Sequence, residues 1–362
     1  MTKPNKLLLV STFRHYFIGL GLALSDKSHA YHLVFIDQKY DDERNPIYLA
    51  ALEMVEPFSS VECMPVRSIG LRKSKVRSMG FDRLKTIIGE LKPVEIATGN
   101  DRRLEFQYAM YVAKKLDRLD VAGAFLDDGT GSYISFQKLK FTKYLSDKWI
   151  DTPIKKVVYG HWYTRPLTFG ESHWVDICYL AHPLLVENTL RNKKCIEIEA
   201  SFYRTVRAQN ILRKLIGILC LESQPKIKGR SVLLTLPHSS IITDIYGSLE
   251  GVKEMILAVT ASYENVCIKY HPRETGDPFN LSGKFIMLPA EIPVEIFFSV
   301  MNFDQVIGDV STALMSAKWL LPKCEVSFIE TKSVYTNAIK GLFSRMDILP
   351  LEIIINPSDV RI

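Results

Sequence analysis

The residues Tyr270-His271-Pro272-Arg273-Glu274 follow the apolar run Val266-Cys267-Ile268. A short apolar run bounded by proline and charge reads as a buried strand, which puts His271 at its carboxyl end. In open α/β sheets that edge is where ligands bind. An imidazolium there can donate to phosphate oxygens and protonate a leaving phosphate near neutral pH. A second run, Val121 to Leu126, delivers Asp127-Asp128-Gly129-Thr130-Gly131-Ser132. Adjacent carboxylates can bind a metal, cap a turn, or supply a general base to a sugar hydroxyl while the second acid sets its environment. No further acid or histidine lies nearby in sequence to complete a metal site. Side chains alternate along a strand, so one acid of the pair is expected to face the substrate, and Asp127 is taken as that base. Gly129 and Gly131 let the backbone turn tightly behind the pair.

Three further strand ends carry polar groups. Ser311-Thr312 stand between a strand and a helix, a place where backbone N–H groups and hydroxyls either bind an anion or serve as an N-cap. His238-Ser239-Ser240 repeat that geometry. None of these turns has a Walker lysine or a GxGxxG pattern, which suggests a nucleotide phosphate held without metal. Glu295 opens a helix near the same edge, as an acceptor for ribose hydroxyls or as a favourable first-turn acid. Asn100 and Asp101 follow another strand; they either cap the next helix or face an acceptor.

The elements that position these groups alternate between strand and helix. Strands are expected at 6–12, 32–36, 93–98 and 121–126, with 176–185 as the last of the first half and a long helix over 196–219. Strands at 231–236, 266–269, 285–288 and 305–307 restart the pattern, with a helix over 313–320. The polar stretch Glu222 to Arg230, with Pro225 and Gly229, reads as a linker. The expected organisation is α/β: a domain over 1–221, a second over 222–362, and a final ~40 residues that pack back on the first. The acidic pair and His271 then lie in different domains that face one another across a ligand cleft.

Composition sets bounds. The chain has 362 residues, 47% hydrophobic and 24% charged, an ordinary globular balance with material for two cores. The net charge of +6 suits an anionic small molecule or membrane surface. No RNP, zinc-finger or helix-turn-helix signature supports a nucleic-acid partner. Six cysteines without a CxxC pair point to a reducing compartment and no zinc cluster. No apolar run approaches transmembrane length, so a cytoplasmic protein is expected. The cationic stretch Arg67–Lys85 reads as a solvated loop and helix face, or as a contact with an anionic acceptor or with lipid head groups at the inner membrane, and the lysines and aromatics of Phe136–Trp162 read as half-buried amphipathic helices, or as a sugar-binding or membrane-facing surface.

Asp127-Asp128-Gly129, His271-Pro272 and Ser311-Thr312, in that order, resemble the motifs of bacterial sialyltransferases: two acids and glycine, His-Pro, and a Ser/Thr pair. The chain is similar to the lipooligosaccharide sialyltransferase family, with the capsular polysialyltransferases as its relatives. The resemblance implies a GT-B fold of two Rossmann-like domains facing a central cleft, the C-terminal one holding CMP-sialic acid. It implies inverting transfer to a surface glycan in a single displacement, with no metal or other cofactor. It carries Asp127 over as the base and His271 as the group that binds and protonates the CMP phosphate. Pro272 shapes that turn, and Ser311 and Thr312 also bind phosphate. The expected partners are the CMP-sugar and a glycan; a homodimer is compatible with the reading. Two rivals stand beside it: the same fold using CMP-Kdo or a UDP-sugar, and a non-catalytic glycan- or nucleotide-binding protein of capsule assembly.

Overall fold

In the computed structural model, residues 2–39, 46–67, 72–134, 152–166, 168–186, 188–219, 227, 229–240, 248–329 and 334–351 are described. The chain divides into two compact units, Met1–Leu219 and Cys220–Ile362.

In the first unit the strands are β1 (Asn5–Val10), β2 (Ala30–Lys39), β3 (Ser60–Arg67), β4 (Glu95–Thr98), β5 (Ala122–Leu126), β6 (Ile177–Leu180) and β7 (Lys194–Glu197). The helices are α1 (Phe13–Ser25), α2 (Pro46–Glu53), α3 (Arg72–Leu91), α4 (Leu104–Tyr111), α5 (Thr130–Tyr133), α6 (Thr152–Tyr159), α7 (Asn188–Arg191) and α8 (Val206–Leu219). The sheet order is β3-β2-β1-β4-β5-β6-β7, all parallel. Leu7 to Val10 are fully buried, as a strand covered by helices on both faces must be. The order reverses between β1 and β4, so the loops after β1, β4 and β5 crowd the switch point where such sheets bind ligands.

The second unit repeats the plan. Its strands are β8 (Ser231–Thr235), β9 (Asn265–Lys269), β10 (Ile286–Leu288), β11 (Gln305–Gly308), β12 (Glu325–Phe328) and β13 (Leu349–Pro350). Between them run α9 (Leu249–Thr260), α10 (Val294–Val300), α11 (Thr312–Leu320) and α12 (Val334–Ser344). The order β10-β9-β8-β11-β12-β13 is parallel throughout. In register, Thr235 pairs with both Lys269 and Gly308, so the carboxyl ends of β8, β9 and β11 finish level. The core under that edge is Val232, Leu234, Ile256, Ile268 and Ile307.

Two expectations need correction. The strand at β6 is not the last of its sheet, because β7 follows it. The long helix over 196–219 begins only at Val206; residues 194–197 are strand and Ala200–Arg204 a 3₁₀ turn. The alternation Ile196-Glu197-Ile198 has the period of a strand, and that local pattern wins. The C-terminal stretch carries β12, α12 and β13 of the second unit's own sheet as far as Pro350; residues 352–362 lie outside the described ones. Most of the lysine- and aromatic-rich stretch 136–162 also lies outside them. Its described end is α6, where Ile154, Val157 and Val158 are exposed.

Candidate active site

The acidic loop of the first unit divides its two carboxylates sharply. Asp127 continues β5 and is fully buried. Its Oδ1 accepts from Arg14 Nη2 at 2.9 Å and from the Gly129 N–H at 2.7 Å. Its Oδ2 accepts from the Ala181 N–H at 2.9 Å and from the Tyr133 hydroxyl. Burial pushes this carboxyl up, but the Arg14 charge and the hydrogen bonds of Tyr133 and Ala181 outweigh it and hold the group below its ordinary value. Burial, then the Asp127 charge, raises the Tyr133 phenol. Gly129 turns the chain at φ 74°, in the left-handed region that glycine tolerates without strain.

Asp128 points the other way and keeps 24% of its side chain exposed. Its Oδ1 meets His15 Nε2 at 2.7 Å, and its N–H donates to Ser132 Oγ at 2.8 Å. One acid of the pair is thus buried and the other partly exposed. Asp127, the one chosen as base, is the closed one, because four donors already occupy its two oxygens.

Sequence reading gave no chemistry to Arg14 and His15, which the structure places in the first turn of α1 against the acidic loop. Both are buried. A basic pair directly after the first strand of a βαβ unit was the signal that could have found them.

Asn100 and Asp101 follow β4, but neither caps α4, whose N-cap is Arg103 without a side-chain bond. Asn100 Oδ1 accepts from the Arg102 N–H at 3.1 Å and closes its own turn. Asp101 is fully buried and accepts from the Ser172 N–H at 2.9 Å. Burial pushes its carboxyl up to about 6. Its bond to Ser172 ties that segment to the strand end.

In the second unit the turns after β8 and β9 come together. His238, after β8, and His271, after β9, lie edge to face with ring centroids 5.9 Å apart. Each ring is tied back through Nδ1: His238 to Ser240 Oγ at 2.7 Å, His271 to the Arg273 N–H at 3.2 Å. A backbone N–H on Nδ1 of His271 leaves the proton of the neutral ring on Nε2. Burial, and then the charges of Arg273, His238 and Lys269, lower its pKa. Glu274 clamps the two loops together, accepting from Ser239 N–H at 2.7 Å and Ser239 Oγ at 3.1 Å. Pro272 is exposed beside them.

Ser311 is the N-cap of α11, yet its hydroxyl makes no cap bond, and Thr312 is the first helical residue. Glu295 lies in the first turn of α10 and accepts from Ser316 Oγ of α11 at 3.1 Å, which couples the two helices. Beneath this edge Lys269 Nζ donates to the carbonyls of Tyr270 and Ala290 at 2.9 and 2.8 Å. Burial lowers its ammonium to about 8, against the pull of Glu295 and Glu291.

Two Rossmann-like parallel-sheet units, each with polar groups at its strand ends, make a GT-B fold. Solved structures agree on the fold. The UDP-GlcNAc 2-epimerase of Methanocaldococcus jannaschii is 15% identical with TM-score 0.56, over 93% of this chain and 86% of that one. The Neisseria meningitidis UDP-GlcNAc 2-epimerase, bound to UDP-GlcNAc, is 12% identical with TM-score 0.52, over 96% and 87%. A putative UDP-N-acetylglucosamine 2-epimerase from Listeria monocytogenes is 10% identical with TM-score 0.51, over 97% and 84%. No curated protein matches the chain. The profile of the alpha-2,8-polysialyltransferase (POLYST) family matches residues 81–329, and the chain belongs to that family. It is a glycosyltransferase of the sialyltransferase type, as its motifs suggested.

Proposed function

We propose that the protein moves sialic acid from its CMP donor to a hydroxyl of a bacterial surface glycan, inverting the anomeric centre and using no metal. The observation that carries this is the family match running through both units, from the acidic loop to the His271-Pro272 and Ser311-Thr312 turns. The geometry at those places supports it. A solvent-reachable carboxylate, Asp128, stands in the first unit, and two imidazoles with their Nδ1 atoms tied back stand in the second.

In this reading Asp128, the open acid of the pair, is the base, and Asp127 holds the loop. The acceptor oxygen attacks the anomeric carbon as Asp128 takes its proton, and the bond to phosphate breaks with its electron pair on CMP. Charge grows on the phosphate, where fixed donors stabilise the transition state more than the ground state. His271 supplies Nε2–H and then a proton; His238, Ser311 and Thr312 supply further donors, Ser239 holds the loop through Glu274, and Glu295 accepts from the ribose. Imidazoles and N–H groups thus take the part a metal plays elsewhere.

The test is CMP release from CMP-sialic acid with a panel of glycan acceptors and a chelator present. Transfer is expected, and it should fall by ~100-fold or more in Asp128→Asn and in His271→Ala, the range for loss of a general acid or base. Thermal stabilisation by UDP but not by CMP would instead favour the UDP-sugar reading.

A further inference from the structure

Ser11, His15 and Gly99 have no part in the family motifs, yet they are built around the open carboxylate. We propose that His15 is a positioning residue for the base: its Nε2–H holds Oδ1 of Asp128 and leaves Oδ2 turned to the incoming hydroxyl. This rests on the reading of Asp128 as base.

Four strand and helix ends fix the ring. His15 is 1% exposed, and Nε2 lies 2.7 Å from Asp128 Oδ1 on the loop after β5. Nδ1 lies 3.3 Å from Ser11 Oγ, just after β1. With Ser11 donating to Nδ1, the neutral ring carries its proton on Nε2, where the carboxylate accepts it. Thr12 caps α1 by accepting the His15 N–H at 3.3 Å. Opposite, after β4, a Cβ on Gly99 would fall 1.9 Å from Cδ2 and 2.0 Å from Nε2, so only glycine leaves the ring its place.

The neighbouring charges are already engaged. Arg14, one residue before, is bonded to Asp127, and His15 is bonded to Asp128. An apolar residue would fill the same space. What imidazole adds is a donor aimed at the partly exposed carboxylate of the acidic loop. One oxygen is then satisfied and the other is the proton acceptor. His15 keeps its own proton throughout: the hydroxyl proton goes to Oδ2, the new C–O bond forms, and the bond to phosphate breaks.

The experiment is steady-state kinetics with CMP-N-acetylneuraminic acid and an α2,8-linked oligosialic acid, alongside thermal unfolding by circular dichroism. His15→Ala should lower kcat by about 100-fold while the donor KM stays within about threefold, as expected when a reacting group loses its alignment. His15→Gln, whose amide nitrogen can reach the same oxygen, should recover kcat by about tenfold over the alanine variant. Should His15→Ala fail to fold, Ser11→Ala removes only the bond to Nδ1 and should still cost kcat several-fold with donor KM unchanged. Wild-type kcat in His15→Ala, a glutamine variant no better than alanine, or an effect confined to KM would overturn the proposal. Asp128→Asn separates the two ideas: activity retained there removes the base reading, whereas an inactive Asp128→Asn beside a fully active His15→Ala removes only the role of His15.

Discussion

Asp127 and Asp128 are adjacent and chemically identical, and they do opposite work. Strand alternation sends one inward to Arg14, Tyr133 and the Ala181 N–H, and the other outward to His15. The sequence shows the pair but not the partition, because Arg14 lies 113 residues away along the chain. The inward acid makes a stability prediction. Asp127→Asn strips a buried guanidinium of its countercharge and should cost about 3–5 kcal/mol in chemical denaturation, while Asp128→Asn should cost under about 1 kcal/mol. The sign with pH follows from a folded value held below the ordinary 3.8. Asp127 stabilises fully above that ordinary value, and the contribution drains away as pH falls through the folded one. The wild type should therefore lose its advantage over Asp127→Asn in acid. Equal stability of the two proteins at neutral pH would refute the buried-pair account.

Strands in the interior of each sheet are legible from the sequence, β12 excepted, and edge strands mostly are not. β1, β5, β8 and β9 read as apolar runs because helices cover both their faces. β3 and β7 lie at the two edges of the first sheet, and β13 at one edge of the second. β3 carries Glu62 and Pro65, β7 carries Lys194 and Glu197, and such residues are what protects an edge from pairing with another chain. They also erase the pattern by which a strand is recognised. Strand ends were therefore placed well where the candidate site needs them, after β5, β8, β9 and β11. What the sequence could not show is how one loop holds another. Glu274 joins the turn after β9 to the turn after β8. Glu274→Ala should raise the donor KM by about tenfold, the worth of one charged hydrogen-bonded clamp, with kcat changed less. A variant with unchanged KM would show that the two turns hold their places without the clamp.

For the whole molecule the relevant quantity is charge. The chain carries +6, whereas the substrates proposed for it are anionic: a CMP-sugar and a glycan with a carboxylate on every sialic acid. Net charge of this size does not select a fold, but it raises the local concentration of an anionic ligand and speeds encounter. The attraction reaches about 10 Å at 0.1 M salt and about 3 Å at 1 M, so it must fade with ionic strength. A longer oligosialic acid spreads more charge over the protein surface than a short one and should lose more. The acceptor KM should thus rise several-fold between roughly 0.05 and 0.5 M sodium chloride, more steeply for the longer acceptor, while kcat at saturating acceptor moves little. Sodium sulfate matched for ionic strength should give the same trend, which separates screening from a specific effect of chloride. A KM flat across that range, or equally steep for short and long acceptors, would mean that recognition is confined to a few buried contacts and that the excess of positive charge plays no part in bringing the acceptor in.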